Sequence, residues 1–398
     1  MNAGHPPETA PRSGRKPAPL QDITVVSFEQ AVAAPYCTRI LGDLGARVVK
    51  VERPGTGDFT RDFDDVANGM SSYFAWVNRG KQSLSLDIKD VSSQPAIDRL
   101  LASADVVVQN LAPGSAARVG LNAANLVERF PSLIAVDLAG YGQDGPNANR
   151  RAYDLLIQTE SGSCAATGWE GQPAKPGPPM ADLGAGLTAA VQILSAIHQR
   201  HSDGRGAAIE VSMFDVAADF LGSALLHASL TGAERPPNGM GSPVVAPYGD
   251  YPTRDGQTVV IGTTNDTEWQ RLTHTLLHRP DLADDPALAT NDQRCRWRDR
   301  IDEEIGAWTR TLDAAEICEL AEAAGIGNAI YRTVLDAVDH PELTERGRWV
   351  ESESPVGKLR MLAPPLSRST WDLPVGEIPS LGQHTDAILA ELGIAPRI

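Results

Sequence analysis

The residue in this chain whose setting most favours covalent chemistry is an aspartate at the start of a long apolar helix. Asp182 follows a Pro- and Gly-rich stretch, 171–179, and precedes a helix pattern that runs from 183 to about 200. Turn residues of this kind put Asp182 where a loop becomes a helix. Its carboxylate can cap free helix N–H groups. Alternatively, Gly184 and Gly186 leave room for another molecule to approach the carboxylate, which then acts as a nucleophile.

The elements that must position this residue alternate between strands and helices. Such alternation predicts a parallel sheet covered by helices, and right-handed crossovers make it Rossmann-like. No Gly-x-Gly-x-x-Gly follows the first strand, where Pro35 stands instead, so the pattern does not favour a nicotinamide enzyme. The predicted strands are Thr24–Phe28, Arg47–Val51, Ser83–Ile88, Asp105–Val108, Leu133–Leu138 and Ala207–Ser212.

The composition changes after the last of these strands. A Gly- and Pro-rich segment precedes a hairpin signal at Arg254-Asp255-Gly256 and several helix patterns, which together predict a smaller α+β domain. We therefore divide the chain into a disordered lead-in at 1–19, a large domain at 20–231, a linker at 232–249, a small domain at 250–335 and a last segment at 336–398.

Charge and composition limit the classes of partner. The 398-residue chain has a net charge of −16, and nucleic-acid binding needs a basic face. No run of 18 apolar residues and no signal-peptide pattern is present in the sequence, so we expect no membrane partner. Four widely spaced cysteines without a Cys-x-x-Cys pair predict a reducing cytoplasm and no metal site.

Several short motifs occur in one order along nearly the whole chain, from about 20 to about 394. Together with the Asp182 segment they resemble the family III CoA-transferases, which include formyl-CoA and carnitine CoA-transferases and the methylacyl-CoA racemases. The motifs are Ala-Ala-Pro-Tyr-Cys-Thr (33–38), Gly-Ala-Arg-Val-Val-Lys-Val-Glu-Arg-Pro-Gly-Thr-Gly-Asp (45–58), Asn-Arg-Gly-Lys-Gln-Ser-Leu-Ser-Leu-Asp (78–87), Gln-Asn-Leu-Ala-Pro-Gly (109–114), Gly-Tyr-Gly-Gln-Asp-Gly-Pro (140–146) and Leu-Gly-Gln-His-Thr (381–385).

The resemblance implies an architecture and a mechanism. The large domain is expected to combine both chain ends, and two chains are expected to form a homodimer of interlocked rings. Asp182 matches the catalytic aspartate, which forms an aspartyl anhydride and then an aspartyl-CoA thioester. Gly239 and Gly241 fall on a Gly-rich loop that shields this intermediate or supplies oxyanion donors, although a simple interdomain loop explains them equally well.

Coenzyme A, bound as acyl-CoA, is the cofactor that the resemblance implies. The matching positions lie mostly on loops after predicted strands, where helix N-termini favour anions. Arg53 and Arg118 can also be ordinary surface residues, and Tyr141 can simply pack. The expected CoA contacts are Val32, Ala33, Arg53, Leu86, Lys89, Asn110, Leu111, Ala112, Arg118, Gly140 and Tyr141.

The chain looks like the branch that transfers CoA from succinyl-CoA to itaconate, mesaconate, citramalate or malate. A second substrate carboxylate favours an arginine, and Arg61, Arg150 and Arg151 remain alternatives. A 2-methylacyl-CoA racemase is a rival, but Tyr153 stands where racemases have a histidine, and a phenol with a pKa of about 10 is a poor base at neutral pH. A non-catalytic CoA-binding protein is a further alternative.

Overall fold

The protein consists of two compact units. The computed structural model describes residues 16–366 and 370–394. The first unit contains the chain up to Ser161, Gly177–Phe220 and the residues from Glu345 onward, whereas the second contains Gly162–Pro176 and Leu221–Thr344. The first unit is thus assembled from both ends of the chain. The boundary expected at 231 lies at 220, the small unit extends to 344 rather than 335, and it also includes 162–176.

The strands of both units are short. In chain order they are β1 (Thr24–Phe28), β2 (Arg47–Glu52), β3 (Lys81–Ser85), β4 (Val106–Gln109), β5 (Ile134–Ala139), β6 (Gly168–Trp169), β7 (Gln172–Pro173), β8 (Ala207–Ser212), β9 (Tyr248–Pro252), β10 (Thr258–Gly262), β11 (Gly327–Ile330), β12 (Trp349–Ser352) and β13 (Leu359–Leu362).

The α-helices range from one turn to more than six turns. In chain order they are α1 (Ala33–Asp43), α2 (Ser72–Asn78), α3 (Gln94–Ala102), α4 (Ser115–Arg118), α5 (Ala123–Arg129), α6 (Asp154–Glu160), α7 (Met180–Asp203), α8 (Met213–Phe220), α9 (Gly222–Thr231), α10 (Asp266–Arg271), α11 (Pro280–Ala283), α12 (Asn291–Arg296), α13 (Arg298–Thr309), α14 (Ala314–Ala324), α15 (Val334–Val338), α16 (Pro341–Thr344) and α17 (Thr385–Glu391).

A six-stranded parallel sheet is the centre of the first unit. Its strand order is β3-β2-β1-β4-β5-β8, and every neighbouring pair is parallel. Val26 of β1 aligns with Val49 on one side and Val107 on the other. Apolar clusters cover both faces, as expected for strands with nearly continuous valine runs. The predicted α/β class with a parallel sheet is confirmed.

The third strand begins earlier than the sequence indicates. We expected Ser83–Ile88, whereas β3 spans Lys81–Ser85. The expected start is two residues too late because Lys81 is fully buried, which its residue type does not indicate. A lysine at a strand start normally indicates a solvated turn, because an unpaired buried ammonium is very costly. Its partners, described below, are what permit the strand to begin there.

Helix α7 packs closely on its neighbours through glycine. A Cβ added at Gly184 would lie 2.6 Å from the Phe220 ring of α8, and one at Gly186 would lie 2.5 Å from the Ala33 carbonyl oxygen. The expectation that these glycines leave room for a ligand beside Asp182 is therefore wrong, because both positions are filled by the protein itself. By length and composition α7 could cross a membrane, and half of its most apolar window is buried within the protein.

Both ends of the described chain are hydrogen-bonded to other residues of the first unit. The Lys16 backbone pairs with residues 370–372, so 16–19 of the expected lead-in are ordered, and 1–15 lie outside the described residues. Near the other end, the Ser83 amide donates to His384 Nδ1 at 3.1 Å, and the Ser85 amide donates to Thr385 Oγ1 at 3.0 Å. The Gly-Gln-His-Thr motif therefore covers the β3 edge of the sheet, a structural role for His384.

The second unit has its own antiparallel sheet and core. Its strand order is β11-β10-β9, and a turn at 253–257 joins β9 to β10, which confirms the predicted hairpin. Helices α10 to α14 surround a core that includes Trp269 and Ile305. A π-helical turn at Leu272–Leu276 follows α10 directly.

Candidate active site

The expected CoA residues collect at one edge of the parallel sheet. Val32 and Ala33 follow β1, Arg53 follows β2, and Leu86 and Lys89 follow β3. Asn110 to Ala112 follow β4, and Gly140 and Tyr141 follow β5. Because parallel strands end at the same edge, these positions lie along one rim. Strand order reverses between β1 and β4, which is where such sheets bind ligands.

Asp182 belongs to the same edge. Near the other end of α7, Arg200 donates to Asp105 Oδ1 at 2.9 Å and to the Ser132 carbonyl at 3.2 Å, just before β4 and β5 begin. Eighteen residues of helix separate Arg200 from Asp182, about 27 Å at 1.5 Å per residue. The first turn of α7 therefore lies at the opposite, carboxyl edge. Gly186 next to Ala33, at the start of α1, is consistent with this placement.

The start of α7 is capped by the side chain of Asp154. Asp154 Oδ1 accepts hydrogen bonds from the Ala181 amide at 2.9 Å and from the Asp182 amide at 3.3 Å. The helix begins at Met180, and the residue before it, Pro179, makes no capping side-chain bond. Asp182 lies within the first turn and is half-buried. A carboxylate from another helix, α6, therefore accepts from two amides of the first turn of α7.

Tyr141 lies in a polar cluster that includes Glu160. Its hydroxyl donates to Glu160 Oε2 at 2.9 Å, while Arg150 binds both carboxylate oxygens of Glu160 at 3.0 and 2.6 Å. The ring of Tyr141 stacks on Phe214. Burial and the bond to Glu160 raise the pKa of Tyr141. Hydrogen bonds from Arg150 and Tyr141 lower the pKa of Glu160, so this carboxylate remains ionised at neutral pH.

The remaining CoA candidates divide by exposure. Arg53, Lys89 and Arg118 are exposed at the rim and can reach a phosphate, although Arg118 also donates to Ser115 Oγ at 2.7 Å. The side chains of Val32, Ala33 and Leu86 are buried in the core. At most 6% of the surface of each of these residues, backbone included, is exposed.

Asn110 uses its side chain within the protein. Its Nδ2 donates to the Gln30 carbonyl at 2.8 Å, and its Oδ1 accepts from the Gln30 amide at 2.9 Å. Gln109 holds the next residue in a similar way, because its Oε1 accepts from the Leu111 amide at 2.8 Å while its Nε2 donates to Asp137. The Asn110 side chain is thus occupied within the protein, and a contact of residues 110–112 with CoA through their backbone amides stays a prediction.

Two of the three candidate carboxylate-binding arginines are already paired. Arg61 binds both oxygens of Glu52 at 2.9 and 2.8 Å and lies 3.7 Å over the Phe74 ring. Arg150 is bound to Glu160 as described above. Arg151 is exposed, and no carboxylate within residues 16–366 or 370–394 pairs with it. It lies three residues before Asp154, the cap of α7.

The two loop glycines belong to the second unit, where their amides are occupied. The Gly239 amide donates to the Gly168 carbonyl at 2.7 Å, and the Gly241 amide donates to the Asn238 carbonyl at 2.7 Å. Gly239 has φ +53°, and a Cβ there would lie 2.2 Å from the Trp169 indole. In this conformation neither amide is available as an oxyanion donor, which contradicts that expectation.

A fully buried ionic network under the same edge was missed from the sequence. Lys50 Nζ lies 2.7 Å from Asp58 Oδ2 and 3.5 Å from Glu29 Oε1, and Lys81 Nζ lies 2.7 Å from Glu29 Oε1. Lys81 also donates to the Asn78 side chain and to a backbone carbonyl. The signal available was the charged pair inside Val-Val-Lys-Val-Glu, which interrupts an otherwise apolar strand.

The network is neutral overall, and its members control one another's charge. Burial lowers the pKa of Lys81 to about 8, with Glu29 opposing and Lys50 adding to the shift. Burial works to raise the pKa of Glu29, but Lys81 and Lys50 outweigh it and hold that pKa below its usual value. Asp58 in turn keeps the pKa of Lys50 raised despite burial.

Comparison with known proteins identifies the family. The family model described as CoA-transferase family III matches residues 20–385. The chain belongs to CoA-transferase family III. A mouse succinyl-CoA:glutarate CoA-transferase is 32% identical over 379 residues, covering 94% of this chain and 86% of the relative. A Haloarcula hispanica succinyl-CoA:mesaconate CoA-transferase is 33% identical over 390 residues, covering 94% and 96%.

A solved structure supports the same assignment. A CAIB/BAIF family protein from Brucella suis has a TM-score of 0.81 and 32% identity, with 95% of this chain and 100% of that chain covered. The resemblance seen in the motifs is therefore confirmed, and the protein is a CoA-transferase of family III. Among the described residues, no group of three or more His, Cys, Asp or Glu side chains could hold a metal ion.

Proposed function

We propose that this family III enzyme transfers CoA from succinyl-CoA to a small dicarboxylic acid through an acylated Asp182. The acceptor would be a C4–C5 acid such as itaconate, mesaconate, citramalate or malate. The observation that carries the proposal is the location of the Asp182 turn at the carboxyl edge, beside the expected CoA residues. The relatives named for succinyl-CoA with glutarate and with mesaconate support the substrate class.

The proposed reaction proceeds through exchange at two carbonyl groups. An Asp182 oxygen attacks the thioester carbonyl, a C–O bond forms, the C–S bond breaks and CoA thiolate leaves, giving a mixed anhydride. The thiolate then attacks the Asp182 carbonyl and releases the donor acid, giving an aspartyl-CoA thioester. The acceptor acid reverses these steps.

Arg151 is the favoured partner for the second substrate carboxylate. Guanidinium groups bind carboxylates through two parallel hydrogen bonds, and Arg61 and Arg150 already bind protein carboxylates in that way. We expect Arg151→Gln to raise KM about tenfold both for the free dicarboxylic acid and for succinyl-CoA, because the succinyl group has the same distal carboxylate. Unchanged KM values for both substrates would assign Arg151 another role.

The covalent step is tested at Asp182 itself. Asp182→Ala should fold and lose transfer, whereas Asp203→Ala, at the other end of the same helix, should retain it. Incubation with acyl-CoA should add the acyl or CoA mass to the peptide containing Asp182, and hydroxylamine or borohydride should trap it. Retained turnover in Asp182→Ala would refute the proposal.

The substrate pair is tested with a panel of free acids. Each acid is incubated with succinyl-CoA, and the acyl-CoA products are identified by mass spectrometry. The racemase alternative predicts deuterium incorporation at the α-carbon of a 2-methylacyl-CoA in D2O, without acyl exchange. We expect exchange without that incorporation.

We propose a homodimer of interlocked chains as the functional form. Leu187, Val191 and Leu194 form an exposed apolar stripe on α7, opposite its buried face. A helix that is apolar on both sides is normally covered, and a second copy of this chain would cover it. Light scattering should give twice the mass of 42.4 kDa, and interlocked chains should not separate on dilution unless they unfold. A monomer that transfers CoA would contradict this.

We also propose a cytoplasmic location. None of the four cysteines forms a disulfide, which fits a reducing compartment. Cell fractionation tests this.

A further inference from the structure

One residue with a side chain adopts an unfavourable backbone conformation at the position where strand order reverses. Ala31 has φ +65°, in the left-handed region. It lies in the turn between β1 and α1. That conformation costs a non-glycine residue roughly 1–2 kcal/mol. Such conformations persist only where the surroundings impose them, and they concentrate at functional sites.

Two side chains from different loops hold this turn. Directly after β4, the Asn110 carboxamide bonds both the amide and the carbonyl of Gln30. From the loop after β2, Asp58 Oδ1 accepts from the Ala31 amide at 3.3 Å and from the Thr60 amide at 2.9 Å. The turn is therefore fixed from both sides of β1, at neighbouring residues.

The buried network behind the turn fixes Asp58 in place. Asp58 Oδ2 binds Lys50, and the Asp58 amide donates to Glu52 Oε1 at 3.1 Å. Lys50 connects through Glu29 to Lys81. Ion pairs this deeply buried often add little to stability, because desolvation offsets their attraction. Their position under the CoA edge suggests that they determine the geometry of that edge.

We infer that Asn110 and Asp58 are positioning residues for acyl-CoA, which act by holding Gln30 and Ala31 in the left-handed turn. The chain passes from this turn directly into α1. The N-terminus of α1 has no side-chain cap and lies at the same rim. This inference rests on the proposed CoA site at that rim. It reassigns Asn110 from direct contact with CoA to control of the backbone that meets it.

Binding of CoA itself, measured by calorimetry, tests the inference without requiring turnover. Asn110→Ala should weaken CoA binding about tenfold, because the turn relaxes out of the left-handed region. Ala31→Gly added to Asn110→Ala should recover most of that loss, since glycine adopts this φ without steric cost. A lost direct contact between Asn110 and CoA would not be recovered by a change at residue 31.

Two further variants complete the test. Ala31→Val leaves both clamping side chains intact but disfavours the turn, so it should also weaken CoA binding at least tenfold. The control is Asp43→Asn, which breaks a buried bidentate pair with Arg79 at the far end of α1; it should lower stability and leave CoA binding unchanged.

Each remaining result overturns a specific statement. Wild-type protein that does not bind CoA would remove both the proposed site and this inference. Normal CoA binding in Asn110→Ala and Ala31→Val would refute the inference alone. Weak binding in Asn110→Ala that Ala31→Gly fails to recover would refute the positioning role and restore direct contact. Loss of acylation at Asp182 with these binding results intact would refute only the covalent mechanism.

Discussion

Removal of the Asp154 carboxylate should impair catalysis more than it impairs folding. Asp154→Ala leaves two helix amides, those of Ala181 and Asp182, without their acceptor. A lost cap costs about 1 kcal/mol, and loss of the negative charge at the helix N-terminus costs about 0.5 kcal/mol more. We expect the free energy of unfolding to fall by about 1.5 kcal/mol, measured by urea denaturation.

The kinetic effect should be larger, since the same bonds fix the turn that carries Asp182. A displacement of about 1 Å at a reacting group can cost about 100-fold in rate, or about 2.7 kcal/mol of transition-state stabilisation. Initial transfer rates, taken well below the unfolding temperature, should show this loss in kcat. Asp154→Asn keeps an acceptor oxygen and should lose no more than about tenfold.

Ser71→Ala is the matched control. Ser71 caps α2 in the same unit, where its hydroxyl accepts from the Phe74 amide. It should lose about 1 kcal/mol of stability and no activity. If Asp154→Ala loses stability to the expected extent but retains full kcat, the Asp182 turn does not need its cap for catalysis and the reasoning fails.

Two further predictions concern packing and pH. Gly186→Ala puts a methyl group 2.5 Å from the Ala33 carbonyl oxygen, and overpacking of this kind costs about 1–3 kcal/mol; thermal unfolding should show the decrease, and an unchanged melting temperature would contradict the close helix contact. The lowered pKa of Lys81, about 8 against a usual 10.5, means that between these pH values the unfolded chain binds a proton that the folded chain has released. The Lys81 contribution to the free energy of unfolding should therefore rise with pH across that window, by up to about 3 kcal/mol at 1.36 kcal/mol per unit. Lys81→Met should remove this rise; identical pH profiles for both proteins would show that burial does not lower this pKa.

The sheet was predictable because its strands are short apolar runs between turn signals. Thr24–Phe28 and Ala207–Ser212 agree with the structure at both ends. The start of β3 was missed because Lys81 is stabilised by partners from elsewhere in the chain, such as Glu29, 52 positions away. No local pattern contains that information.

The candidate site likewise has features that the local sequence predicts and features that depend on distant contacts. That Asp182 lies at the start of a helix follows from the local sequence, and the motifs place the CoA candidates after strands. Which acceptor or donor each side chain uses depends on contacts across the fold: Asp154 caps α7 from 27 positions away, and Asn110 holds Gln30 from 80. The local sequence therefore does not show that a polar side chain in a recognisable motif, such as that of Asn110, binds the protein.

The hydrogen bonds between the last motif and β3 have a consequence for biosynthesis. Gly382 donates to Ser83 Oγ across 299 positions of chain. At about 5–20 residues per second, a ribosome needs roughly 15 to 60 seconds to deliver the segment that covers this strand. Throughout that interval the nascent sheet has an open side able to pair with other chains, so premature termination before residue 382 should yield a product prone to aggregation.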